Sequence, residues 1–99
     1  MRCLLVHAHP LDKSLTRHFL DVAASTLEAA GHDVDSLDLY QAGFNPRLTA
    51  AERVTHYALP FDRSALTREI AQLEAAELLV LVFPTWWFGP PAILKGWID

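Results

Sequence analysis

Between residues 78 and 83 the chain reads Leu78-Leu79-Val80-Leu81-Val82-Phe83, an unbroken apolar run that Pro84 stops. A strand with one face in water alternates apolar and polar residues. An uninterrupted run instead predicts a central strand buried on both faces, as in a parallel sheet covered by helices on either side. Cys3-Leu4-Leu5-Val6 repeats this character near the amino terminus and passes through His7 into a loop at Ala8-His9-Pro10. Two such runs in 99 residues, separated by helical periodicity, leave room for one α/β domain and no second.

The stretch between the two runs supplies the crossovers. Apolar residues recur at Leu15, Phe19, Val22, Ala23, Thr26 and Ala30, the spacing of one helix face, with Ser14 as N-cap and Gly31 as stop, so a helix is expected over about 15–30. Val34, Leu37 and Leu39, set among acids between His32 and Tyr40, predict a second strand, with Asp33, Asp35 and Asp38 read as solvated positions. Residues 41–48 contain Gly43, Asn45 and Pro46 and read as loop. Thr49-Ala50-Ala51-Glu52 then has the spacing of a capping box opening a short helix that ends before Pro60. Leu66, Ile70, Leu73 and Ala76 predict a second covering helix behind Asp62 or Ser64 as cap. After the long apolar run, Pro91 opens a last helix through Trp97. The order implies parallel strands joined by right-handed crossovers, in three layers.

Composition narrows the partners. Twelve acidic against eight basic side chains, with no run of like charge, give no electrostatic footprint for nucleic acid or an anionic membrane surface. No apolar segment is long enough to predict a membrane span. The single cysteine, Cys3, falls inside the first strand and is expected to be a buried free thiol, in keeping with a reducing, cytoplasmic setting.

Two loops carry the chemistry. A Rossmann dinucleotide site needs Gly-x-Gly-x-x-Gly after the first strand, and that pattern is absent. In its place stand His9, Ser14, Leu15 and Thr16, whose imidazole, hydroxyls and free helix-start N–H groups suit a phosphate. The same residues also suit a purely local role, with Ser14 capping the helix and His9 bonding the turn. No metal site is expected from His7 and His9. The other loop, Pro84-Thr85-Trp86-Trp87-Phe88-Gly89-Pro90-Pro91, sets three large aromatics in a row between rigid prolines. They cannot all enter one core, so at least one faces solvent, a planar ligand or a packing partner. In a sheet of strand order 2-1-3, the carboxyl ends of strands one and three meet at a topological switch point, and both loops then line one cleft.

Phe83 to Asp99, from the Pro-Thr-Trp-Trp-Phe-Gly-Pro-Pro loop through Ala92-Ile93-Leu94-Lys95-Gly96-Trp97, closely resembles the signature of the flavodoxin-like NAD(P)H:quinone oxidoreductases, the family of DT-diaphorase and of the bacterial modulator of drug activity B. The His9, Ser14, Leu15, Thr16 loop resembles that family's phosphate loop, and Phe44-Asn45-Pro46 with Ala50-Ala51-Glu52-Arg53 is also family-like. The resemblance implies a flavodoxin-like doubly wound sheet and a bound flavin, FAD in preference to FMN. The flavin phosphates would lie by His9, Ser14, Leu15 and Thr16, and its ring against Pro84, Thr85, Trp86, Trp87 and Phe88. It further implies NAD(P)H as electron donor, a quinone or related small molecule as acceptor, ping-pong two-electron transfer, and a homodimer at full length. Thr85 stands where the family more usually has an aliphatic residue.

Because family members continue with further strands, and because the apolar run 78–83 would be an exposed sheet edge in the three-strand order 2-1-3, the 99 residues are expected to be the amino-terminal part of a longer domain, inactive alone. Two other expectations stand beside the enzyme: an ancillary regulatory subunit of a potassium-efflux system, and a nonfunctional truncated product.

Overall fold

The computed structural model describes residues 1–56 and 63–99. Pro60 and Asp62, the expected helix boundary and candidate cap, lie outside them. The described elements are β1 (Arg2–His7), α1 (Leu15–Ala29), β2 (Asp33–Asp38), α2 (Ala50–Val54), α3 (Thr67–Ala75), β3 (Leu78–Val82) and α4 (Ala92–Ile98), with a single 3₁₀ turn at Ser64–Leu66 leading into α3. The three strands form one parallel sheet in the order β2-β1-β3, with Cys3 opposite Val34 on one side and Leu78 on the other.

This order makes β1 the central strand, and the core follows from it. Residues of β1 alternate between the two faces. Leu4, Val6 and Ala8 join Leu37, Leu39 and Leu94 in one buried cluster, against which Phe44, Leu81, Phe83 and Trp97 pack. Cys3 and Leu5 join Leu20 in the other, beneath α1. Cys3 is a buried free thiol. Helices on both sides give the three layers, and no helix among the described residues is long and apolar enough to cross a membrane.

Four sequence expectations change in the structure. The run 78–83 is not buried on both faces: β3 takes the open edge expected of it in the 2-1-3 order, pairing only with β1 among the described residues, and Leu79 is 42% exposed. An apolar run records what a strand can bury, whereas its place in the sheet is set by pairing. Next, α1 turns a different face inward. Leu15, Phe19 and Val22 lie exposed, while Thr16 and Leu20 are buried and Ala23, Ala24 and Leu27 pack beside them. The buried stripe is displaced from the expected one, and its alanines let the helix lie close to the sheet. Third, Asp38 is not solvated: its side chain is 16% exposed and lies against His7. Finally, Ser64 is the first residue of the 3₁₀ turn, and the N-cap residues that the structure describes, Arg63 for that turn and Leu66 for α3, make no side-chain cap bond.

The other helix starts follow their sequence signals. Ser14 Oγ accepts from the Arg17 amide, and Thr49 Oγ1 accepts from the Glu52 amide, each satisfying an orphan donor of the first turn. Pro91 is the N-cap of α4. The loop after β2 closes on Gly43, whose φ of +67° a side chain would strain, and the Phe44 amide donates to the Leu39 carbonyl. This turn brings Pro46 onto α4 at Gly96, where the helix has no side chain to keep it away.

Candidate functional site

Both loops singled out in the sequence leave the carboxyl ends of β1 and β3, which are neighbours in the sheet. The Ala8 amide donates to the Val82 carbonyl at 3.1 Å, so the two chains stay paired as they enter their loops. Beyond that bond the loops touch through rings: the His9 imidazole lies 5.7 Å from the Trp86 ring, tilted by 58°.

Residues 86–89 form a tight two-residue turn. The Trp86 amide donates to the Gly89 carbonyl and the Gly89 amide to the Trp86 carbonyl, at 3.0 and 3.1 Å. Trp87 and Phe88, the two residues at the tip, have φ of +50° and +68°. Such a turn normally recruits Asn or Gly, because a Cβ disfavours the left-handed region. Here two of the bulkiest side chains occupy it, and they are 95% and 99% exposed. The amides of Trp87 and Phe88 donate to no acceptor among the described residues. The turn therefore presents two aromatic faces and two unused N–H groups at strained positions, a combination that structures keep where something outside the chain uses it.

On the β1 side, Ser14 caps α1, and the His9 Nδ1 accepts from the Leu11 amide at 3.0 Å. Both local roles weighed in the sequence are thus present. Neither uses the residue up, since Ser14 keeps its hydroxyl proton and His9 its Nε2. Leu15 is exposed on the outer side of the helix start, while Thr16 is buried beneath it. Pro84 is half-buried and Thr85 exposed. The structure thus brings His9, Trp86, Trp87 and Phe88 to one end of the sheet beside the Ser14 helix start, and turns Thr16 away from the surface. These groups suit a flavin: flat apolar faces for a ring, free amides for its polar edge, and a helix start for phosphate. Two concavities lie elsewhere. One of 190 Å³ sits at the amino ends of β1 and β2 and is lined by Arg2, Val34 and Gln72. The other, of 360 Å³, lies along the β2 edge between Arg17, Asp38 and Arg68.

Sequence reasoning missed His7. It is 1% exposed, ends β1 directly opposite Asp38, and neither ring nitrogen has a hydrogen-bond partner among the described residues. The available signal was its position as the one polar residue closing an apolar strand beside a strand that closes on an acid.

Comparison with known proteins bears on the fold and the family. The chain is 36% identical over 99 residues to an uncharacterized NAD(P)H oxidoreductase of Escherichia coli K12, covering 99% of this chain and 50% of that protein. It is 34% identical over 114 residues to the ribosyldihydronicotinamide dehydrogenase [quinone] of Rattus norvegicus, covering 99% and 49%. Among solved structures, an NAD(P)H:quinone oxidoreductase from Methanothermobacter marburgensis superposes with a TM-score of 0.90 at 31% identity, covering all of this chain and 51% of that one. The chain spans about half the length of the relatives it matches. A family model described as Flavodoxin-like fold matches residues 1–99. With the 2-1-3 parallel order and the family match both in place, the chain belongs to the flavodoxin-like fold family.

Proposed function

We propose that this chain is the flavin-holding part of an NAD(P)H:quinone oxidoreductase, a longer protein of about its relatives' length that works in the cytoplasm as a homodimer. The observation that carries the reading is the left-handed turn at Trp87 and Phe88, which holds two exposed aromatic rings and two unused amides beside His9 and the start of α1. The relatives' names, NAD(P)H oxidoreductase and quinone dehydrogenase, support the reaction class.

In this reading Trp86, Trp87 and Phe88, braced by Pro84 and Thr85, flank the flavin ring and keep water from it. The free amides of the turn meet the ring edge on which negative charge develops during reduction. His9, Ser14 and the first-turn amides of Leu15 and Thr16 hold the phosphates, with FAD preferred over FMN. A flavin held there would supply hydride acceptance from NAD(P)H and two-electron delivery to a quinone bound afterwards in the same site, so the residues here bind and orient and no side chain is required to take the hydride.

The test is spectroscopic. Purified at the relatives' length, the protein is expected to be yellow, to bleach with NAD(P)H and to recover its colour with a quinone. Replacing Trp87 and Phe88 together by alanine removes the colour. A colourless wild-type protein that takes up neither FAD nor FMN on titration would overturn the proposal.

A further inference from the structure

His7 presents a problem that the flavin reading does not solve. Its imidazole is enclosed on the α1 face of the sheet, and both nitrogens lack a hydrogen bond, although a buried polar group left unpaired is costly. The nearest charged group is the Asp38 carboxylate, with Oδ2 at 3.5 Å from Nδ1. Asp38 is itself mostly buried. Its Oδ1 accepts from the Gln41 amide at 3.1 Å, and its Oδ2 lies 3.9 Å from Nη1 of Arg17. Arg17 belongs to the first turn of α1: its amide donates to Ser14 Oγ, and its Nε to Asp21 Oδ1 at 3.2 Å.

We propose that Asp38 is a bracket joining the ends of β1 and β2 to the first turn of α1, with His7 donating its Nδ1–H on one side and the Arg17 guanidinium approaching on the other. His7 and Asp38 are register partners on one face of adjacent strands, so a shift of a few tenths of an ångström completes the bond. A carboxylate accepts several donors at once, and the Gln41 amide leaves room for both. The bracket fixes the tautomer of His7, because the bond made at one ring nitrogen decides where the proton sits. It also sets Ser14 and the open amides beside it relative to the end of β1. His7 and Asp38 are thus positioning residues for the helix start. Their bearing on flavin phosphate rests on the function proposed above, whereas the bracket itself does not.

The bracket is tested without any cofactor. Imidazole nitrogen NMR of the protein is expected to place the His7 proton on Nδ1, and Asp38→Ala to move it to Nε2. In the same variant the amides of Arg17 and His18 should exchange about tenfold faster while Ala30, at the far end of α1, is unchanged, the local loss of one charge-assisted bond. A proton on Nε2 in the wild type, or exchange accelerated equally along the whole helix, overturns the proposal. Should Asp38→Ala fail to fold, Arg17→Gln alters only a half-exposed side chain and is expected to quicken the same amides a few-fold without moving the His7 proton; no local change overturns the proposal. Comparison of FMN with riboflavin in the protein of full length separates the two readings. Equal wild-type affinity for both ligands would sink the phosphate role of the helix start, while the tautomer and the exchange pattern still decide the bracket.

Discussion

Gly96 lies within α4, where glycine weakens a helix by about 0.5–1 kcal/mol relative to alanine, so Gly96→Ala should stabilise the protein if propensity alone mattered. The structure predicts the opposite. A Cβ at this position would lie 2.3 Å from Cβ, 2.6 Å from the carbonyl oxygen and 2.8 Å from Cα of Pro46, and the first is about 1 Å short of the 3.4 Å at which ordinary contact begins. All three atoms belong to a proline whose ring and backbone cannot rotate aside, so the loop at 44–46 or the helix must move. Overpacking of this kind costs about 1–3 kcal/mol, and subtracting the propensity gain leaves a net loss of up to roughly 2.5 kcal/mol, centred near 1 kcal/mol.

Urea denaturation measures that difference. With a slope of about 1 kcal/mol per molar for a domain this small, the midpoint should fall by roughly 1 M, and by no more than about 2.5 M, with the slope unchanged. Pro46→Gly, which removes the nearest of the three atoms, should restore part of the loss in the double variant. A midpoint that rises after Gly96→Ala would show helix propensity acting unopposed, and would refute the seating of Pro46 on α4. The contact matters for the site because α4 begins three residues after Gly89, so whatever anchors α4 also anchors the exit of the aromatic turn.

Two further outcomes follow from residues whose sequence reading and structural setting disagree. Phe88→Gly should stabilise the protein by roughly 0.5–1 kcal/mol in the same urea assay, since it relieves a left-handed φ and gives up a ring that packs against nothing; flavin uptake by the protein of full length should fall, and a loss of stability would count against the strained turn. On α1, Leu20→Ala should cost about 2–5 kcal/mol, whereas the larger neighbouring change Phe19→Ser should stay within about 0.5 kcal/mol; the reverse order of midpoints would restore the helix face expected from the sequence.

Much of the fold was legible because it rests on short-range signals. The apolar run ending at His7, the cap at Ser14, the stop at Gly31 and the box opening at Thr49 each place an element boundary within a residue or two. The runs and the helices between them gave a parallel sheet, and its strand order came from the absence of a Rossmann glycine pattern after β1 together with the family resemblance. What escaped the sequence depends on partners distant in the chain. Leu15, Phe19 and Val22 on one side of α1, and Leu20, Ala24 and Leu27 on the other, both recur at helical spacing, and only the sheet decides which stripe goes inside. The burial of β3 depends on its neighbours, and Asp38 reads as solvent-facing until His7 is placed opposite it. At the site, residue types were readable but conformation was not. Left-handed two-residue turns are signalled by Asn-Gly or Asp-Gly, and Trp87-Phe88 hides the turn behind side chains that favour strands.

That concealment bears on how the site is held. A left-handed residue with a Cβ costs about 1–2 kcal/mol, and the turn has two of them against one pair of backbone hydrogen bonds between Trp86 and Gly89. The rings return little of this, since they are almost wholly exposed. The opposing contributions lie outside the turn: the Ala8 to Val82 bond below it, the His9 ring beside Trp86, and Pro91 buried at the start of α4. Each of these three contacts joins the aromatic loop to an element already fixed by the core. The turn is therefore rigid because its two ends are held, and the strain at its tip keeps Trp87 and Phe88 outward, where a planar ligand can meet them without first dislodging them from a core.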